Sequence, residues 1–95
     1  MEYQQLLEKK TIILKIAEKY GAYRIRVFGS VARGEADEKS DVDFLVNLEE
    51  DRSLFDLGGL QYDLQQSLKV PVDVVTENGL YGEARQRIIK EAREL

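Results

Sequence analysis

Val27-Phe28-Gly29-Ser30-Val31-Ala32-Arg33-Gly34 and Ser40-Asp41-Val42-Asp43-Phe44-Leu45-Val46 are the two stretches on which the fold of this 95-residue chain turns. The second alternates acid with apolar residues, the period of a strand, so Asp41 and Asp43 project from one face. Two carboxylates held together repel, and burial raises the cost unless a proton or a cation lies between them. Their spacing suits joint coordination of magnesium, which commonly takes one or two protein carboxylates plus phosphate oxygens and keeps several waters. An Asp-x-Asp taken alone fits a solvated strand edge better. In the first stretch an apolar strand ends at Phe28, and Gly29-Ser30 opens a short helical turn that Gly34 closes. Free N–H groups and the Ser30 hydroxyl there form a phosphate cradle, with Gly29 letting a phosphate approach the backbone. A plain N-cap serine after a turn glycine is the other reading of that dipeptide. Arg33, one turn on, shares the face of Ser30 and serves either a phosphate or an acid of the charged loop over Glu35–Lys39.

Outward from these stretches, Tyr3–Tyr20 reads as one amphipathic helix stopped by Gly21, and Tyr23–Phe28 as a strand in which Tyr23, Ile25 and Val27 alternate with arginines. Asp41–Leu48 resumes as a strand. Ser53, with Asp56 three residues on, signals a capped helix carrying Leu57, Leu60, Leu64 and Leu68. Gly58-Gly59 inside it costs roughly 1 kcal/mol per glycine relative to alanine, which implies close backbone packing, a partner surface or a kink. Val70–Thr76 is a β-branched strand with its proline near the start. Glu77-Asn78-Gly79 is a turn, and Leu80–Leu95 reads as a closing helix with Leu80, Ala84, Ile88, Ala92 and Leu95 on one stripe. The order predicts an α/β (α+β) sandwich, a mixed or parallel sheet of three or four strands flanked by helices, as one domain over residues 1–95.

Asp73 is an acid within the apolar strand Val70–Thr76, facing away from Val72 and Val74. Beside the Asp41 strand it would complete a carboxylate triad able to hold two metal ions and to orient or deprotonate an attacking hydroxyl. On its own it fits an edge residue or an ion-pair partner of Arg24 or Arg26.

Composition narrows the chemistry further. The chain has no cysteine and no histidine, which removes disulfides, thiol nucleophiles, thiolate metal sites and the commonest general base. Carboxylates, hydroxyls, lysine and arginine remain, and carboxylates favour hard cations. With 18 acidic against 14 basic residues the net charge is −4, which argues against coating or extending a nucleic acid. No apolar run approaches the roughly 20 residues of a membrane span, and the N-terminus has no signal-peptide core, so a cytoplasmic location is expected. A chain this short buries about 60–68% of its unfolded surface, so a cleft must open at the edge of one small core and a partner can complete it.

Gly29-Ser30, ten intervening residues and Asp41-x-Asp43 together resemble the signature of the DNA polymerase β nucleotidyltransferase superfamily. With Val72-Asp73-Val74-Val75 downstream, nearly the whole chain is similar to the minimal nucleotidyltransferases, the MNT antitoxins. The resemblance implies that Gly29 and Ser30 hold a triphosphate, that Asp41 and Asp43 bind magnesium, two ions in all, and that Asp73 supplies the third acid. It further implies transfer of AMP from ATP to a tyrosine of a HEPN-domain ribonuclease toxin, the partner neutralised in this way. Arg33 is an auxiliary nucleotide-binding candidate. Two other readings stand beside this one. The first is a non-catalytic module that neutralises its partner by occlusion. The second is nucleotidyl transfer to a small molecule, for which a 95-residue chain has little material.

Overall fold

The computed structural model describes residues 1–95 as a four-stranded mixed sheet flanked by helices. The elements are α1 (Tyr3–Glu8), α2 (Lys10–Lys19), β1 (Ala22–Phe28), α3 (Gly29–Arg33), β2 (Val42–Leu48), α4 (Leu54–Leu68), β3 (Val72–Thr76), a 3-10 turn (Glu77–Gly79), α5 (Gly82–Glu91) and β4 (Arg93–Glu94). The strand order is β3-β2-β1-β4. β1 runs antiparallel to both β2 and β4, while β2 and β3 are parallel and are joined by α4, the crossover that parallel pairing demands.

Pleating divides the sheet into two faces. Val42, Phe44 and Val46 of β2, with Val72 and Val74 of β3, point into a core closed by Leu60 and Leu64 of α4 and by Ile13 and Ala17 of α2. Each fully buried Leu or Phe there contributes about 2 kcal/mol. The opposite face carries Asp43 and Leu45, and α5 lies on that side, where Ile88 and Glu91 share a cavity with Phe28 and Asp43. α4 starts as its sequence predicts: the Ser53 side chain accepts from the Phe55 N–H, and Asp56 accepts from the Ser53 N–H. The outer edge of β3 is also engaged, since the Val72 and Val74 N–H groups donate to the side chains of Gln65 and Gln61, one turn apart on α4.

Three elements depart from their sequence reading. The expected helix over Tyr3–Tyr20 breaks at Lys9, whose N–H donates to the Leu6 carbonyl three residues back, and fully buried Leu6 and Ile13 lie on either side of the break. The alternation expected over Tyr23–Phe28 fails because Arg24 adopts a left-handed φ of 53° and the register shifts between Tyr23 and Arg26. Ile25, Arg26 and Val27 are consequently buried in succession. Arg26, only 3% exposed, donates to Asn47 and to Glu77.

The third departure is the closing helix expected over Leu80–Leu95. It is confined to α5, which contains no fully buried residue. At Ala92 the backbone turns extended, Arg93 and Glu94 pair with Val27 and Arg26, and the Leu95 N–H donates to the Ile25 carbonyl. The open edge of β1 offers backbone partners that a further helical turn could not, so pairing outweighs the helical stripe. Leu95 reaches the core through this strand.

Candidate active site

Gly29 begins α3 directly after β1, with φ at 71°. A Cβ at this position would collide with Oδ2 of Asp43 and displace that carboxylate, and the left-handed backbone also favours glycine. Ser30 falls inside α3, whose N-cap is Phe28, so the N-cap reading of Ser30 does not hold. Gly34 ends α3 in the left-handed region at φ 74°, as expected.

Asp41 precedes β2 and is exposed, whereas Asp43 lies within it and is half-buried. Both line a cavity of about 480 Å³ together with Gly29, Ser30 and Arg33. Asp43 is flanked in register by Phe28 of β1 on one side and Asp73 of β3 on the other. Asp73 thus shares the face of Asp43, although it is exposed and does not line the cavity. The arginines considered as its partners are engaged elsewhere: Arg24 and Arg26 both pair with Glu77.

Burial, then the neighbouring Asp73 and Asp41, pushes the Asp43 carboxyl above the usual aspartate range, an effect that the charge of Arg33 offsets in part. That accumulation of negative charge is a demand for a cation. No three acidic side chains gather closely enough to enclose an ion by themselves. The donor set therefore fits magnesium held by one or two carboxylates, with phosphate oxygens and water completing its shell.

Arg33 pairs with Glu35 at 2.6 Å and with Glu91 at 2.8 Å. The first partner belongs to the charged loop foreseen in the sequence. The second was missed. Glu91, near the end of α5, also accepts from the Gly29 N–H at 3.1 Å. Burial alone would push its carboxyl up, but the Arg33 guanidinium and the Gly29 N–H hold it below the usual glutamate range. Arg87, one turn earlier on α5, lines the same cavity and forms no salt bridge. An Arg and a Glu four apart on a helix beside Ile88 was the one available signal, and it says nothing about contact with Gly29, 62 residues away.

Comparison with known proteins places the chain in a family. The chain belongs to the nucleotidyltransferase domain family, whose profile matches residues 9–95. A Methanocaldococcus jannaschii protein that carries the provisional name of protein adenylyltransferase is 44% identical over 85 residues, spanning 90% of this chain and 91% of the relative. A solved structure described provisionally as a minimal nucleotidyltransferase superposes with a TM-score of 0.87 at 44% identity, covering 100% of this chain and 97% of that one. A toxin–antitoxin structure with AMP-PNP shares the fold at a TM-score of 0.74 and 21% identity, over 86% of this chain and 68% of the other. The mixed sheet flanked by helices is thus the minimal nucleotidyltransferase fold.

Proposed function

We propose that this protein is a magnesium-dependent protein adenylyltransferase that moves AMP from ATP to a hydroxyl, a tyrosine in the first instance, of a HEPN-type toxin, and thereby acts as its antitoxin. The observation that carries the reading is the meeting, in one cavity, of Asp41 and Asp43 with the Gly29-Ser30 turn, while Asp73 stands beside Asp43 on the neighbouring strand. The adenylyltransferase name of the Methanocaldococcus jannaschii relative supports the reaction. The toxin–antitoxin structure with AMP-PNP supports both the nucleotide and the class of partner.

In this reading the Gly29 N–H and the Ser30 hydroxyl bind the β and γ phosphates, with Arg33 assisting, and turn the α-phosphorus toward the acids. The acceptor oxygen attacks the α-phosphorus in line, its proton passes toward Asp73, and the bond to the β-phosphate oxygen breaks to release pyrophosphate. Asp41 and Asp43 would hold magnesium, with the exposed Asp73 beside Asp43 as a further acid, and the metal when bound would stabilise charge on the attacking and leaving oxygens. The open cavity leaves the acceptor to arrive on another protein, in keeping with the small size of the chain.

Intact-mass spectrometry of a co-expressed toxin, after incubation with ATP and magnesium, tests the reading. Wild type should add one AMP unit or a multiple. Asp41→Asn and Asp43→Asn should each lose transfer by more than the roughly 100-fold typical of losing an outer partner at a metal site, while remaining folded. A stable complex with no mass gain overturns transfer in favour of occlusion.

A further inference from the structure

Glu91 stands where the proposed nucleotide would put a phosphate. One of its oxygens accepts from the Gly29 N–H and the other from Arg33 Nη1, so a single carboxylate satisfies a backbone donor and a guanidinium on the wall of the cavity. Its side chain is only 18% exposed and comes from α5, a helix with no fully buried residue. Two oxygens shared between an N–H and a guanidinium reproduce the demands of a phosphate.

We propose that Glu91 is an internal stand-in for phosphate, which holds the Gly29 N–H and Arg33 until a nucleotide phosphate takes both and which therefore sets the affinity of the cavity for nucleotide. The proposal rests on the reading of this cavity as a nucleotide site. Its physical basis is competition and repulsion acting together. An incoming triphosphate must break two hydrogen bonds made by Glu91, one of them to a charged donor, and must enter a cavity where that carboxylate adds to Asp41 and Asp43. Displacement needs only a side-chain rotation, because Glu91 lines the open cavity at the last residue of α5. Arg87, unpaired on the same wall, remains to meet the polyphosphate.

Titration calorimetry of the full chain with ATP and magnesium tests this. Glu91→Gln, which keeps the shape and removes the charge, should bind ATP about ten-fold more tightly than wild type. A residue that merely braced the Gly29 turn would do the reverse, so equal or weaker binding overturns the role of Glu91. A second readout uses the wild-type protein alone, should the variant not fold. The side-chain carboxyl carbon resonance of Glu91 should move to its solvent value as ATP saturates the site, and an unmoved resonance overturns the proposal. Absence of ATP binding by both proteins overturns the nucleotide reading itself, and is distinct from tight wild-type binding that Glu91→Gln leaves unchanged.

Discussion

Gly58 and Gly59 are neighbours in α4 and obey different constraints. A Cβ at Gly58 meets nothing within 4 Å, whereas one at Gly59 would lie 2.5 Å from Cε1 of Tyr20. The Tyr20 ring cannot easily yield, because its hydroxyl donates to Asp63 at 2.6 Å. Gly58→Ala should therefore raise stability by about 0.5–1 kcal/mol through helix propensity alone. Gly59→Ala should lower it by about 1–3 kcal/mol, since overpacking exceeds that gain. Urea unfolding of the two variants checks both signs. The sequence reading left close packing, a partner and a kink open for this pair, and packing against Tyr20 accounts for Gly59. At the same scale Asp41, Asp43, Gly29 and Ser30 were legible because strand period and a glycine turn are local. Glu91 was not, because its partners lie across the sheet and no short-range pattern encodes them.

Among the elements, the 3-10 turn and α5 are tied to the sheet by Glu77. It pairs with buried Arg26 at 3.1 Å, with Arg24 at 3.6 Å and with Arg85 at 3.6 Å, and Arg85 also donates to its carbonyl. Burial would push the Glu77 carboxyl up, yet the hydrogen bond and charge of Arg26 hold it below the ordinary glutamate value of 4.5. Its contribution to stability is thus complete above that value and is lost as the pH falls through the lowered one. Glu77→Gln leaves Arg26 buried and uncompensated and should cost about 3 kcal/mol at neutral pH. The gap in melting temperature between wild type and variant should close on acidification below 4.5, the ordinary value, because glutamine does not titrate. Calorimetric scans across that range give the answer, and a constant gap would contradict it. The existence and type of most elements were legible, including the capped start of α4 and the left-handed exit at Gly34, but periodicity alone did not show the break at Lys9 or the end of the closing helix at Glu91. β4 was not, because a two-residue strand is created by its neighbour's open edge and has no period of its own. The same holds for the bulge at Arg24, where tertiary pairing places a non-glycine residue at positive φ.

At the scale of the whole molecule, the sheet separates two tasks. One face holds the core, and the other holds the carboxylates and the cavity beneath α5. With helices α2 and α4 on the first face, the second is free to carry charge that a core could not tolerate. No helix is long and apolar enough to cross a membrane. The sheet nevertheless ends on β3, whose sequence Val72-Asp73-Val74-Val75-Thr76 is short, β-branched and the kind of edge on which other chains add strands. Gln61 and Gln65 answer that hazard: their side-chain oxygens already occupy the outward N–H groups of Val74 and Val72. The two amides therefore act as a shield against self-templated polymerisation, a property that governs how long a concentrated solution stays clear and not how the protein reacts. Replacing both with leucine should leave secondary structure intact by circular dichroism while light scattering grows over days of storage, first in the double variant. It also means that removing the charge of Asp73 to probe chemistry strips a second guard from the same edge, so loss of activity in such a variant has to be read beside its state of aggregation.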